Sequence, residues 1–177
     1  MLNLLNALAL QIGGEVSLNE LSRVLGETIP TIQRYLDLLE KAFVIFRLRS
    51  FSRNLRKEIA KGQKIYFFDL GIRNALIRNF NTMNIRNDTG GLWENFCIFE
   101  RLKYNANRRR FVNSWFWRTY DQKEVDYIEE EGGKISAFEF KFRSSTKARL
   151  PKDFFEIYPG STFKTVSSEN YFEFLTL

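Results

Sequence analysis

A pair of glycines, Gly132 and Gly133, limits the fold of this chain more than any other short feature. The glycines stand between two runs of strand-forming residues, inside the segment 124–142. A two-residue glycine loop is typical of a tight β-hairpin, because both central residues of the favoured turn need positive φ. The loop also sets the register of the two strands, since it predicts that Glu131 pairs with Lys134.

This register brings charged side chains together. Asp126 is expected to face Glu139, and Glu124 is expected to face Lys141. Side chains alternate along a strand, so Glu139 and Lys141 share one face, and the opposite face, rich in phenylalanine, is the predicted core. Opposed like charges destabilise a sheet, so the two acids need compensation. A divalent cation such as Mg²⁺ or Mn²⁺ is one source of it, and a structural ion pair with Lys141 is the other.

The composition indicates a folded protein and excludes several kinds of site. The chain has 177 residues, enough for one large or two small domains, and 44% are hydrophobic, with 18 Phe, 7 Tyr and 3 Trp. Histidine is absent from the sequence, which excludes histidine catalysis and histidine-rich zinc sites. The single Cys97 excludes an internal disulfide and suits a reducing cytoplasm. Without a leader or a long apolar run, we expect a cytoplasmic protein with no membrane partner.

The positive charge is concentrated in one segment. Between residues 47 and 64 there are seven basic residues against Glu58 alone, which equals the net charge of +6 of the whole chain. Such a stretch is typical of an element that contacts phosphates, so we predict DNA binding there; the alternative is a solvated loop. The basic residues of this segment are Arg47, Arg49, Arg53, Arg56, Lys57, Lys61 and Lys64.

The first 80 residues follow the pattern of a winged helix-turn-helix. Ser17 and Glu20 form a capping box at the start of the second helix. The two strands flank the basic segment, which would form the wing. The predicted elements are helices over 2–11, 18–25 and 31–42, followed by strands over 44–51 and 64–69.

The third helix has equal numbers of exposed positive and negative side chains, which argues against a role for this helix in recognising a DNA sequence. Its exposed cations, Arg34 and Lys41, are matched by Asp37 and Glu40. We therefore expect the wing and Arg34 to contact the DNA backbone with little base specificity. The alternative is that this part of the chain docks a protein or a second copy.

The remainder reads as a second domain, so the predicted boundaries are 1–80 and 81–177. The Asn-rich stretch 79–88 is the expected linker. A long helix over 92–105 and a strand over 110–120 precede the hairpin. A loop with a short helix then follows, and two final strands are predicted over 163–167 and 171–175. The sequence contains no GxxxxGK loop, so these residues offer no ATP site.

The order of these elements resembles the restriction-endonuclease-like superfamily, whose PD-(D/E)XK signature places an acid on one strand and (D/E)-x-K on its neighbour. Asp126 matches the first acid, Glu139-Phe140-Lys141 matches the second element, and Glu94 matches a helix glutamate that often precedes them. Val125 stands where the signature has proline. The resemblance implies an α+β chain, with the winged helix followed by a restriction-endonuclease-like α/β sheet domain.

The resemblance also implies roles for these residues. Asp126, Glu139 and the Phe140 carbonyl would hold Mg²⁺ or Mn²⁺, with Glu94 as a further catalytic ligand. Lys141 would orient water or stabilise the charge that develops on the phosphate. Arg118 would contact a phosphate, with a surface ion pair as the alternative.

A second resemblance covers most of the chain. The blocks IQRYLDLLEKAFVIFRL, KIYFFDLGIRNAL, LWENFCIFERL, FWRTYDQKEVDYI and FEFKF look like the uncharacterised carboxy-terminal domain that follows the ATPase module in a family of prokaryotic AAA-type ATPases. The ATPase half is absent, so the resemblance implies an ATPase partner in cis or in trans.

Three functional hypotheses remain open at this point. The first is a metal-dependent DNA nuclease, which would act as a homodimer if it cuts both strands. The second is an idle nucleic-acid-binding or protein-interaction module of an ATPase. The third is a toxin-like element whose basic wing meets an acidic protein.

Overall fold

The computed structural model of the protein describes residues 1–51, 62–119, 123–144 and 152–176, with mixed α and β structure and two sheets. The chain divides into two compact units. Unit 1 comprises Met1–Leu48 and Gly62–Asn95, and unit 2 comprises Arg49–Lys61 and Phe96–Leu177. The chain passes between the two units after Leu48, after Lys61 and after Asn95, whereas the sequence predicted one boundary after residue 80.

Unit 1 combines helices with a three-stranded sheet. The strand order is β1-β3-β2, and β1 pairs with β3 in antiparallel register, with Glu15 opposite Lys64. The elements are α1 (Leu2–Leu10), β1 (Glu15–Val16), α2 (Leu18–Leu25), α3 (Ile29–Lys41), β2 (Ile45–Arg49), β3 (Gln63–Phe67), α4 (Leu70–Leu76), a 3-10 turn (Met83–Ile85) and the first part of α5 (Thr89–Asn107).

Capping side chains fix the beginnings of these helices. The Ser17 hydroxyl accepts a hydrogen bond from the Glu20 amide at 3.3 Å, as the capping box predicts. Thr28 caps α3 in the same way, and Asp69 caps α4. The apolar faces of the helices and strands form one core, built from Leu4, Leu8, Ala9, Val16, Leu21, Ile32, Leu36, Leu39, Ile45, Ile65 and Phe67.

The stretch 79–88, expected to be a linker, is held by arginine. The Arg86 guanidinium donates to the Asn79 carbonyl at 2.7 Å and to both carboxylate oxygens of Asp88 at 2.8 Å. Arg73 is fully buried and also bonds to Asp88, and it donates to the Ala9 carbonyl at 2.8 Å. These bonds hold the stretch within unit 1.

Unit 2 is built on a four-stranded mixed sheet in the order β4-β5-β6-β7. The first two pairings are antiparallel, and β6 pairs with β7 in parallel. Phe51 stands among the basic residues of 47–64 in the sequence, yet it is buried, and its amide donates to the Phe116 carbonyl of β4 at 2.6 Å. The elements are the rest of α5, β4 (Asn113–Arg118), β5 (Glu124–Glu131), β6 (Lys134–Phe140), α6 (Lys152–Ile157), β7 (Thr162–Val166) and α7 (Tyr171–Thr176).

Helices cover both faces of this sheet, whereas the sequence predicted a core on the phenylalanine face alone. Phe174 of α7 packs against Phe138 and Phe140, with ring centroids 4.8 and 5.5 Å apart. On the other face, Phe154 of α6 joins a second aromatic and aliphatic core. That core contains Phe51, Trp117, Val125, Ile128, Ile135, Ala137, Phe154 and Tyr158.

The last predicted strand, over 171–175, is wrong, because these residues form α7. Asn170 makes a helical start: its side-chain oxygen accepts from the Ser167 amide at 2.7 Å, and the Tyr171 amide bonds to the Ser167 carbonyl at 2.9 Å. Within the described ranges, no helix has both the length and the apolar character needed to cross a membrane.

Candidate functional site

The hairpin has the register that the glycine pair predicts. Glu131 lies opposite Lys134, and the pairing continues without a shift to Tyr127 opposite Phe138. Gly132 and Gly133 have φ values of 57° and 78°, which is the positive region that the turn requires. This part of the sequence-based prediction is confirmed.

A β-bulge then changes the geometry at Asp126. On the neighbouring strand, Trp115 pairs with Ile128 and Trp117 pairs with Val125, so two residues of β5, Asp126 and Tyr127, lie opposite Phe116 alone. A bulge interrupts the alternation of side chains and redirects those at the extra position. Val125 and Ile128 accordingly contribute to the same core, although strict alternation would separate them.

The redirected Asp126 carboxylate lies against the backbone of β6. Its Oδ2 accepts a hydrogen bond from the Phe140 amide at 2.8 Å, and the side chain is 9% exposed. The amide and carbonyl of one residue in a strand point to the same edge, so the Phe140 carbonyl is also on the Asp126 side of β6. Lys141 confirms this alternation, because its amide donates to Val166 of β7 at 2.9 Å.

Glu139 of β6 forms an ion pair with Lys141, the residue that directly follows the strand. The Lys141 Nζ lies 2.6 Å from Glu139 Oε1, and their side chains are 35% and 18% exposed, respectively. Such a partly exposed pair contributes modestly to stability. Lys141 therefore brings a positive charge to Glu139, which is one of the two sources of compensation that the sequence left open.

The oxygen atoms of Asp126, Glu139 and the Phe140 carbonyl are of the chemical type that binds a hard divalent cation. Two carboxylates and one backbone carbonyl are oxygen ligands, and Mg²⁺ is often held by one or two carboxylates while it keeps several waters. The described ranges contain no group of three or more Asp, Glu, His or Cys side chains that could hold a metal ion. A metal here would therefore depend on Asp126, Glu139 and the Phe140 carbonyl, with water completing its coordination.

Glu94 lies in unit 1, where its carboxylate has other partners. Its Oε1 accepts from the Lys64 ammonium at 2.8 Å and from the Tyr66 hydroxyl at 2.5 Å, and all three side chains are buried. Close backbone packing surrounds this cluster, because a Cβ on Gly13 would lie 3.2 Å from the other carboxylate oxygen of Glu94. The cluster ties α5 to β3.

The described basic residues of the predicted DNA-binding set fall into two groups. Arg34 and Arg49 are exposed. Arg47 of β2 bonds to two acids of α3, Glu40 and, at 2.9 Å, Asp37, and the hydrogen bond with Glu40 is the main cause that raises the pKa of Arg47. Lys64 is 1% exposed and bound to Glu94, a position that phosphate does not reach. The other members, Arg53, Arg56, Lys57 and Lys61, lie outside the described residues.

Arg118, the predicted phosphate contact, lies beside an acid of the neighbouring strand. It pairs in register with Glu124, and its Nε is 3.8 Å from Glu124 Oε2. This contact matches the surface ion pair that was the alternative for Arg118. The sequence predicted Lys141 as the residue that faces Glu124. The contact between Glu124 and Arg118 was not predicted, because the hairpin register does not include β4.

A buried polar network on the other face of the sheet was not predicted. Arg101 of α5 makes two parallel bonds to Glu129, with Nε and Nη2 at 2.9 and 2.7 Å from the two carboxylate oxygens. Asn105 and the Tyr127 hydroxyl also donate to Glu129 Oε1. Burial raises the pKa of Tyr127 well above its ordinary value, so this phenol stays protonated. The sequence could not predict this contact, because Arg101 and Glu129 are 28 residues apart and belong to no motif.

Comparisons with known proteins fit this two-part arrangement. Residues 1–83 match a family described as a domain of unknown function (DUF8612), and residues 89–171 match another (DUF4143). The chain resembles two domains of unknown function in series. Over 129 residues it is 30% identical to an uncharacterized protein of Mycobacterium bovis and, equally, to one of Mycobacterium tuberculosis. The alignment covers 72% of this chain but only 28% of each relative. No solved structure matches the chain.

Proposed function

We propose that unit 2 carries a metal-dependent phosphodiesterase site of the restriction-endonuclease type, centred on Asp126, Glu139 and Lys141. The observation that supports this proposal is the 2.8 Å bond between the Phe140 amide and Asp126 Oδ2, which places the first acid against the E-x-K strand. Mixed α and β elements in this order, with helices on both faces of the sheet, suit such a domain. The substrate class would be DNA.

The residues have separable tasks in this proposal. Asp126, Glu139 and the Phe140 carbonyl would hold Mg²⁺ or Mn²⁺, which when bound polarises a phosphate and lowers the pKa of a bound water. The Lys141 ammonium, already on the Glu139 face, would orient the attacking water and stabilise negative charge on the phosphate oxygens. The bulge at Asp126 and Tyr127 would set the direction of the first carboxylate.

A second candidate function is a nucleic-acid-binding or protein-interaction module whose carboxylate site is idle. The Lys141–Glu139 ion pair favours this candidate, because it satisfies one acid without a metal. The position of Glu94 in the buried cluster of unit 1 also favours it, since the cluster gives that carboxylate a structural role. In either case the resemblance to a domain that follows AAA-type ATPase modules makes an ATPase the expected partner.

The test is a Mn²⁺ and Mg²⁺ titration of the thermal stability of the chain, beside the variant Asp126→Asn. Asparagine keeps an oxygen that accepts from the Phe140 amide but removes the charge. A native-state ligand stabilises by mass action, about 2.7 kcal/mol at a hundredfold excess over its Kd. We expect stabilisation of the parent that Asp126→Asn largely removes, and loss of DNA cleavage in Glu139→Gln.

Lys141→Met provides a matched control. It removes the positive charge next to Glu139 and keeps an unbranched side chain. In the phosphodiesterase proposal, this variant binds the metal at least as tightly as the parent but does not cleave DNA. If the parent and Lys141→Met both show no metal-dependent stabilisation, the idle module replaces the phosphodiesterase.

A further inference from the structure

In the part of the chain that the structure describes, three helices end in the same unusual way. After α3, α4 and α5 a residue other than glycine adopts a left-handed backbone: Phe43, Arg78 and Arg109, with φ values between 52° and 56°. Each end has the hydrogen-bond pattern of a Schellman motif; after α5, the Arg109 amide bonds to Ala106 and the Arg110 amide to Asn105. Glycine is the usual residue at this position, so each arginine or phenylalanine there carries a conformational cost.

The end of α5 presents cations and an aromatic ring to solvent. Arg108 and Arg109 are exposed, and among the described residues the Arg109 side chain has no partner. Arg110 differs, because it forms an ion pair with Glu131 at 2.6 Å. Phe111 follows directly and is 95% exposed. We call Arg108, Arg109 and Phe111 the RRF corner.

The helix end alone does not account for the RRF corner. Cations are favoured at the carboxyl end of a helix by its dipole, which explains the arginines. The dipole does not explain a phenylalanine whose ring is almost entirely in water, since burying such a ring is worth about 1.5–3 kcal/mol. An exposed ring that follows two exposed arginines in the chain suits a ligand with both flat apolar faces and negative charge.

Single-stranded nucleic acid has this combination. Its bases stack on aromatic side chains, its phosphates pair with arginine, and the mode is tolerant of sequence. Duplex DNA keeps its bases stacked on each other and so cannot use Phe111 in this way. We propose that the RRF corner binds a single-stranded segment of nucleic acid, with a base on Phe111 and phosphates on Arg108 and Arg109.

The position of the RRF corner separates it from the candidate catalytic residues. Asn113, two residues after Phe111, pairs with Glu130, so the corner lies at the turn end of the hairpin. Lys134, exposed at the same end, adds positive charge. From Glu131 to Asp126 is five residues of strand, roughly 17 Å. The proposal needs no metal and no cleavage, and so goes beyond the proposed function.

The experiment is fluorescence anisotropy of the full chain in EDTA, with a labelled oligothymidylate of about 16 nucleotides and a duplex of the same length. The test variants are Phe111→Ala and Arg109→Gly. The second removes the guanidinium while giving the left-handed position its preferred residue, so it preserves the helix end. We expect tighter binding of the single strand, weakened about five- to a hundredfold by Phe111→Ala.

The chain provides matched controls at the end of α4. Arg78 has the same backbone conformation as Arg109, with φ of 52°, and Phe80 follows two residues later and is also exposed. Arg78→Gly and Phe80→Ala therefore make the same chemical changes elsewhere. Ile77 stands where the RRF corner has Arg108, so this end offers one arginine instead of two, and we expect both control variants to leave binding within about twofold. We expect Arg109→Gly to reduce the salt slope of log K by about 0.7 for each lost phosphate contact.

Several results would overturn the proposal. The first is that the parent does not bind the single strand. The second is that the two RRF variants bind it as well as the two control variants do. The third is that Phe111→Ala weakens binding of the duplex as much as binding of the single strand. Competition by polyglutamate that matches unlabelled oligothymidylate in strength would assign the corner to acidic protein instead. All measurements are made in EDTA, which removes divalent metal ions. The result therefore does not depend on whether the phosphodiesterase proposal is correct.

Discussion

Glu94 has a stabilising role that substitution can separate from metal binding. Glu94→Gln keeps the shape of the side chain but removes the negative charge that the Lys64 ammonium, 1% exposed, contacts at 2.8 Å. Breaking a buried pair in this way costs about 3–5 kcal/mol. We expect the free energy of unfolding of unit 1, measured with urea, to fall by about this amount.

The control is the double variant Lys64→Met with Glu94→Gln, which removes both charges and should recover part of the loss. Metal-dependent stabilisation should stay unchanged in the double variant. If Glu94→Gln instead weakens metal binding and leaves stability intact, Glu94 is a metal ligand, as its match to the nuclease signature implied.

Asp88 makes unit 1 sensitive to acid. The hydrogen bond from Arg86, with a second from Arg73, holds the pKa of the Asp88 carboxyl below its ordinary value. A carboxyl whose folded pKa is depressed adds stability above its unfolded pKa of about 3.9, and this stability is lost as the pH falls toward the folded pKa. We expect thermal melts to show a fall in stability below about pH 4 that Asp88→Asn reduces.

Asp88→Asn should also destabilise the protein by about 3 kcal/mol at neutral pH, because two buried arginines lose their counter-ion. An equal acid-induced loss in Asp88→Asn and in the parent would assign the pH dependence to other carboxylates. The control is Asp153→Asn, since Asp153 pairs with Lys123 in an exposed position and should change little.

Asp126 and Glu94 show which parts of the candidate site could be predicted from the sequence. The opposition of Asp126 to the E-x-K strand follows from a local signal, the glycine turn, which fixes every pairing up to Tyr127. The bulge depends on β4, whose alignment with β5 no local spacing encodes. Lys64 and Glu94 are 30 residues apart, so the sequence showed a wing lysine and a helix glutamate without their contact.

At the scale of elements, the packing of α5 on unit 1 depends on one glycine. A Cβ at Gly91 would lie 2.7 Å from the Ile12 carbonyl oxygen, a backbone atom that has little freedom to move. We expect Gly91→Ala to cost about 1–3 kcal/mol, as overpacking does. The measurement is urea unfolding of the variant beside the parent.

Gly90 is the matched control, because a Cβ there meets nothing within 4 Å. Gly90→Ala lies in the first turn of the same helix and should stabilise it by up to about 1 kcal/mol. If both variants lose stability equally, the cost belongs to the backbone of the first turn and not to the contact with Ile12.

Element types were predicted well where the local signals agreed, and α7 shows where they did not. Tyr171-Phe172-Glu173-Phe174-Leu175 alternates like a strand, and its aromatic residues favour one. The polar start at Ser167 and Asn170 and the burial of Phe174 against three strand residues favour a helix instead, and Phe172 stays exposed. Tertiary packing decided the outcome, which the sequence pattern could not show.

At the scale of the whole molecule, the described contacts predict that unit 1 needs the start of α5. Asn95 donates to the Phe67 carbonyl at 2.9 Å and accepts from the Phe67 amide at 2.8 Å, and Glu94 neutralises Lys64. A fragment of residues 1–80 lacks both partners, and we expect it to unfold without a cooperative transition. A fragment of residues 1–107 should show one by circular dichroism. Equal melting of the two fragments would contradict this.

The distance along the chain between Lys64 and Glu94 has a consequence for biosynthesis. The lysine is made 30 residues before the glutamate that neutralises it. At about 5–20 residues per second, the ribosome needs roughly two to six seconds to add the missing partner. Until then the carboxylate that binds the Lys64 ammonium and the Tyr66 hydroxyl is missing, so we expect β3 to reach its final packing only after α5 has been translated.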